Sequence, residues 1–205
     1  MSRAISYSRS RAANRIIILD TSTLVTLCKL GMVNLVHKLT EKGYTIVIPR
    51  SVYKEIQHPN FECNPNEYAA YIVDAQLEYL EVVEQSAVGL GEGEKHAIAI
   101  ALYYSRRGRT RICLVLDDKR ARTKAAKLLP KRNTAVTGTV GLLLLAREEN
   151  ILDTQAFLDA LERIRWERIL RLADTVVMEA HQLLEEIEAG RKPVYTRCFG
   201  GKQRA

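Results

Sequence analysis

ICLVLDDKR, spanning Ile112–Arg120, is the stretch whose reading decides the fold. Its apolar run, Ile112–Leu116, passes directly into Asp117 and Asp118 and then into two cations. A continuous apolar run of this length, without polar alternation, predicts a strand covered on both faces, as in a parallel sheet. IIILDTS at Ile16–Ser22 repeats the pattern, a strand-like Ile16–Leu19 followed by Asp20. Acids placed just past the carboxyl ends of parallel strands converge on the crevice where open α/β sheets bind their ligands.

Outward from these two runs, apolar spacing at Leu24, Leu27, Leu30, Val33, Leu35, Val36 and Leu39 predicts a helix, with a break at Gly31. Thr45–Ile48 reads as a second strand, and Pro49 leads into a short helix that runs to about Gln57 and is ended by Pro59. Pro65–Leu77 reads as a helix and Leu80–Val83, alternating with Glu, as a short third strand. A helix over 91–105 turns Ala97, Ile98, Ala101 and Leu102 inward. Lys119–Leu129 is a helix stopped by Pro130, Thr134–Val136 a fifth strand, and Gly138–Glu149 a helix in which Gly141 permits close packing. Thr154–Ala189 reads as a helical pair. Trp166 is expected to pack in the first of them, and Asp174 and Thr175 to cap the second. The alternation predicts an α/β fold: a three-layer α/β/α sandwich on a mostly parallel five-stranded sheet, with added C-terminal helices. The expected organisation is a basic segment over 1–15, one domain over 16–190, and a basic tail over 191–205.

At 205 residues, 47% hydrophobic and 27% charged, the chain suits one well-packed globular core. Val140–Ala146 is too short an apolar run to cross a bilayer, and no apolar stretch follows the N-terminal arginines as a secretory signal requires. A cytoplasmic protein is therefore expected, without membrane association. Cys28, Cys63, Cys113 and Cys198 show no zinc-ligand spacing. Residues 1–15 hold four arginines, and 189–205 five basic residues, with no acid in either stretch. With those nine set aside, 22 basic residues face 24 acidic ones, so the net charge of +7 resides in the tails and the core carries −2. Eleven further basic residues crowd positions 106–132 around only Asp117 and Asp118. Such a stripe is either a solvated face or a surface for a phosphate-bearing polymer.

Asp20, Glu55, Glu94, Asp117 and Asp118 all stand where a predicted element begins or ends. Each has a plain structural use. Asp20 can cap a helix, Glu55 can face solvent, and Glu94 can offset a helix dipole. Two adjacent acids after a strand exceed what one helix cap requires. Like charges in one crevice repel unless a cation neutralises them, so a divalent metal site explains the set most economically. Carboxylates without His or Cys suit Mg2+ or Mn2+, and His37 and His96 have no partner at ligand spacing. Spacing does not choose between Asp117 and Asp118.

The order DTS at Asp20–Ser22, IPRSVYKEI at Ile48–Ile56, GEKHAIAIA at Gly93–Ala101, LDDKRAR at Leu116–Arg122 and TGTVGLLLLA at Thr137–Ala146 resembles the PIN-domain proteins, in particular prokaryotic PIN-like, predicted nucleic-acid-binding proteins. The resemblance covers about residues 16–152. It implies the sheet order 3-2-1-4-5, catalytic and metal-binding roles for Asp20, Glu55, Glu94 and Asp118, with Asp117 able to share that role, and Mg2+ or Mn2+ as cofactor. It further implies metal-assisted hydrolysis of RNA phosphodiesters, with Ser22 lining the site; Arg120, Arg122 and Lys124 of the basic stripe are then expected to hold flanking phosphates. Many relatives resemble toxins of toxin–antitoxin pairs, so an antitoxin protein and a homodimer are among the implied partners. Some members carry one more acid after the fifth strand, where this chain reads Thr137-Gly138-Thr139. That departure leaves open a catalytically weak PIN-like module that binds RNA or protein. A phospho-acceptor role for Asp20 fits less well, because Ser22 stands where haloacid-dehalogenase-type enzymes place a second aspartate.

Overall fold

At the centre of the sheet lies β1 (Asn14–Leu19), hydrogen-bonded to β2 (Tyr44–Pro49) on one side and β4 (Thr110–Val115) on the other. With β3 (Ile72–Val73) and β5 (Thr134–Thr137), the order is β3-β2-β1-β4-β5, and every pairing is parallel. The computed structural model describes residues 14–58, 61, 64–107 and 110–191. Successive strand side chains face opposite ways, and both faces here are buried. Ile17 and Leu19 of β1 enter one core with Cys113 and Val115 of β4, while Ile16, Ile18, Ile112 and Leu114 enter the other. That division is why neither strand shows polar alternation.

Helices supply the two outer layers. α1 (Thr21–Lys29) and α2 (Asn34–Glu41) connect β1 to β2. α3 (Arg50–Ile56) and a 3-10 helix (Pro65–Tyr71) lead to β3, and α4 (Leu77–Ser86) and α5 (Glu92–Ser105) cross to β4. α6 (Lys119–Leu128) precedes β5, after which come α7 (Thr139–Glu148), α8 (Thr154–Trp166) and α9 (Asp174–Glu188). α4, α5 and α6 cover one face through Val83, Ala97–Leu102, Ala121 and Ala125. α1, α2, α7, α8 and α9 cover the other, through residues such as Leu24, Leu39, Leu143, Phe157 and Leu183. The strand order reverses between β1 and β4, so the crevice of this sheet opens past Leu19 and Leu116.

Four expectations are corrected. Leu80–Val83 is part of α4, because Leu80, Val83 and Ala87 recur at helical spacing and meet the core on one side. The third strand is Ile72–Val73, paired as Ile48↔Ile72 and Pro49↔Val73. The helix placed over Pro65–Leu77 shrinks to the 3-10 turn, capped by the Asn64 side chain on the Asn66 amide at 3.2 Å. Trp166 does not pack in the helical pair; it is 79% exposed. Asp174 is not a cap. Ala173 holds that position without a side-chain bond, and the Asp174 carboxylate pairs with Arg165 at 3.1 Å. The expected break at Gly31 is observed, since α1 ends at Lys29. Pro59 and most of the two basic tails lie outside the described residues. Arg15 is described and lies in β1, its guanidinium paired with Glu149 at 3.2 Å.

The end of α8 is unusual. The Arg168 amide bonds the Arg165 carbonyl at 3.3 Å and the Ile169 amide bonds the Ile164 carbonyl at 3.1 Å. This is a Schellman ending, whose residue past the cap is left-handed and usually glycine or asparagine. Gly31, Asn150 and Gly190 fill the equivalent place after α1, α7 and α9, whereas here an arginine is held at φ 52. A side chain in that region costs about 1–2 kcal/mol, part of which glycine returns as unfolded-chain entropy. Arg168→Gly is therefore expected to raise stability by about 1 kcal/mol in urea denaturation. A midpoint at or below that of the parent chain would show that the arginine makes packing contacts that offset the strain.

Candidate functional site

Five acids reach one cavity of about 1060 Å³ at the carboxyl edge of the sheet: Asp20, Glu55, Glu94, Asp117 and Asp118. Each arrives there for a local reason. Asp20 ends β1 and caps α1, its Oδ1 accepting the Thr23 amide at 2.9 Å. Asp118 caps α6 by accepting the Ala121 amide at 2.7 Å. Glu94 lies in the first turn of α5 and reaches back to the Gly91 amide at 2.9 Å. Glu55, on α3, accepts the Thr21 hydroxyl. Asp117, freed from capping by its neighbour, accepts both the amide and the hydroxyl of Thr139, at 2.7 and 2.6 Å.

Ser22 joins two strand-end acids, Asp20 and Asp117. Its Oγ lies 2.8 Å from Asp20 Oδ2 and 3.2 Å from Asp117 Oδ2. A hydroxyl carries one hydrogen and cannot donate to both carboxylates at once. The shortfall appears in the electrostatics. Burial first, and then the Asp117 carboxylate, raise the Asp20 carboxyl to about 6, and Asp20 is only 4% exposed. Glu94 is raised as well, by burial first and then by Asp118 and Glu55, against the lowering effect of its bond to the Gly91 amide. The acids thus form two linked groups, Asp20 with Asp117 and Glu94 with Asp118 and Glu55, the second partly offset by Arg120.

The cations are arranged less simply than the sequence stripe suggested. Arg122 lines the cavity, but its Nη1 donates to the Leu116 and Asp117 carbonyls at 2.9 and 2.6 Å. It clamps the backbone that presents Asp117 and Asp118. Arg120 and Lys124 both donate to the Val88 carbonyl, outside the cavity lining. Lys119 and Arg171 do line it. His37 and His96 pair with Glu41 and Glu92 at 3.4 and 3.9 Å on their own helices.

Among the described residues, no three His, Cys, Asp or Glu side chains already stand at the spacing that would hold an ion. Each of the five acids instead accepts a protein donor. The donor set still fits a hard divalent cation: it consists of oxygens, it is crowded with like charge, and one hydroxyl serves two carboxylates.

A family profile described as PIN domain matches residues 16–186. The chain belongs to the PIN-domain family. No curated protein and no solved structure matches it. Membership gives this PIN domain a nuclease-type fold, in a family that generally uses divalent metals. The matched range takes in α8 and most of α9, beyond the reach of the motifs read from the sequence.

Two contributions to the PIN-domain site were not visible from spacing. One is the wall formed by the α8–α9 connection and α9, from Leu170 and Arg171 through Val176 and Glu179 to Leu183. No periodicity signals it, because it depends on how α9 docks on α7. The other is Thr139, fully buried and also 3.2 Å from the Thr23 hydroxyl. Just after β5 this chain thus has a hydroxyl spent on orienting Asp117. Thr139→Val keeps the shape but removes that donor from a buried carboxylate, so a loss of about 1–3 kcal/mol is expected in urea denaturation. An unchanged midpoint would mean that the Thr139 hydroxyl does not hold Asp117.

Proposed function

We propose that this PIN-domain protein is a Mg2+- or Mn2+-dependent endoribonuclease. The observation that carries the reading is the meeting of Asp20 and Asp117 over the single Ser22 hydroxyl, on the floor of a cavity that Glu55, Glu94 and Asp118 also line. Asp20, Glu55, Glu94 and Asp118 are assigned as the catalytic, metal-holding acids, with Asp117 as a further ligand. The chemistry that such an ion supplies is Lewis-acid activation of water and neutralisation of phosphoryl charge.

The protein's own part is positional. Thr139 and Arg122 fix the β4–α6 turn and so hold Asp117 and Asp118 at the cavity. Ser22 is able to turn its hydrogen from one carboxylate to the other. Lys119 and Arg122 supply positive charge in the cavity wall, and Arg120 and Lys124, outside the lining, are assigned to flanking phosphates. Such contacts position a strand without reading its sequence. The choice of RNA over DNA rests on family resemblance.

The test is incubation of the full chain with labelled single-stranded RNA, in chelator and then with Mn2+ or Mg2+. Ion-dependent internal cleavage that disappears in Asp20→Asn is the expected result. The hydroxyl at Thr139 supports a second reading, a PIN-like module that binds RNA or an inhibitory protein without cutting. Tight RNA binding with no cleavage under either ion would favour the module and retire the nuclease.

A further inference from the structure

Trp166 is the sole tryptophan of the chain, and it ends α8 with 79% of its surface exposed. Large aromatic side chains normally bury most of their area. The connection that follows, 167–173, runs along the cavity, with Leu170, Arg171, Leu172 and Ala173 in its wall. Leu170 is four positions on from Trp166, a chain reach of at most about 14 Å. Trp166 is not itself in the cavity lining, but the chain carries it to within that reach of the wall.

The charge around it is uncompensated. Arg163 is held by Glu167 and by the Lys29 and Leu30 carbonyls, and Arg165 by Asp174. Those pairs use both acids of the segment. Arg168 and Arg171 make no ion pair or side-chain hydrogen bond among the described residues. Arg168 is moreover kept at a left-handed position where glycine would relieve strain.

We propose that this segment is the strand-binding rim of the cavity, with Trp166 stacking on an unpaired base and Arg168 and Arg171 contacting phosphates of single-stranded RNA. The inference rests on the nuclease reading of the same cavity and names the part of the substrate that extends beyond the acids. An open aromatic face beside unpaired arginines is the combination that single-stranded nucleic acid binds, and it reads no sequence. A duplex would offer no free base face to the ring. A protein partner would call for a broader apolar surface than one ring set among charges.

Because no other tryptophan contributes, Trp166 emission reports on this rim alone. The experiment titrates the full-length Asp20→Asn protein, in chelator, with short oligouridylate and oligoadenylate. Saturable quenching is expected, weakened by salt. With fluorescently labelled RNA and an anisotropy readout, Trp166→Ala should raise Kd about fivefold or more, and Trp166→Phe should restore much of the loss. Arg168→Gly should weaken binding and flatten its salt dependence while the melting temperature holds or rises, a pairing that a merely structural arginine would not produce. RNA that binds without quenching, and without loss in Trp166→Ala, overturns the rim while leaving the nuclease intact. Loss of ion-dependent cleavage with quenching retained strikes the nuclease and keeps the rim. Absence of any RNA binding removes both. Concentration-dependent self-association that Trp166→Ala abolishes would assign the ring to a protein contact and overturn the proposal.

Discussion

Asp20→Asn is expected to lower ion-dependent cleavage by about 10³-fold or more and, without divalent ion at neutral pH, to make the fold more stable. Both effects come from one placement. Asp20 is buried beside Asp117, and its folded-state pKa of about 6 exceeds the ordinary 3.8. The folded protein thus holds that proton more tightly than the unfolded chain does. The stabilisation from the protonated carboxyl is complete below about pH 4 and is lost as pH rises through about 6, leaving an ionised Asp20 that costs the metal-free fold about 3 kcal/mol near pH 7. Asparagine keeps the acceptor for the Thr23 amide and gains a donor toward Ser22 and Asp117, with no charge to bury. Paired thermal melts of the two proteins across pH isolate this group from all others. The variant should gain little near pH 4 and most at pH 7 and above, and divalent ion should raise the melting temperature of the parent chain only. A difference that does not change with pH would show that Asp20 carries no such burden, and retained cleavage would remove it from the metal site.

A single methyl group at Gly138 is the second large effect. A Cβ there would stand 2.9 Å from Asp117 Oδ1 and 3.5 Å from Arg122 Nη1, while the backbone, at φ −106, accepts any residue. The clash is purely spatial. Asp117 cannot swing away without giving up the Thr139 amide and hydroxyl, each worth roughly 1 kcal/mol. Gly138→Ala should therefore cost about 1–3 kcal/mol of stability and lower cleavage about 10²-fold by misplacing the carboxylate. Gly93→Ala is the comparison. Its Cβ would meet Glu55 Oε1 at 2.9 Å and Val52 Cγ2 at 3.0 Å, but Glu55 is a longer side chain and can turn aside. Cleavage should fall, but Val52 is buried and β-branched and cannot turn aside, so a stability loss of similar size is expected. Full activity in Gly138→Ala, measured with stability in urea, would show that Asp117 is not held at the site.

Composition and pattern went far toward the fold. The unbroken apolar runs at Ile16–Leu19 and Ile112–Leu116 announce central parallel strands because both faces of the sheet are covered, and the structure bears this out. Leu80–Val83 misled because glutamates between apolar residues mimic strand alternation over so short a window; the longer spacing through Ala87 is helical. Ile72–Val73 is illegible in the sequence because a two-residue edge strand carries almost no signal of its own. Trp166 differs from expectation for a related reason: a large aromatic residue in a helix predicts burial, and only the docking of the helix shows which face is left outside.

What the chain determined alone was local: which runs are strands, where acids end them, and which helices begin beside those acids. Those features depend on side-chain chemistry and nearest neighbours along the chain, and they sufficed to bring Asp20, Glu55, Glu94, Asp117 and Asp118 to one edge. Packing decided the rest. The use of Thr139 to orient Asp117, the turning of Arg120 and Lys124 toward Val88, and the wall that α9 adds to the cavity all arise between residues distant in sequence. Hydrogen-bond direction and burial exist only once the layers close on the sheet, so tertiary structure alone assigns them.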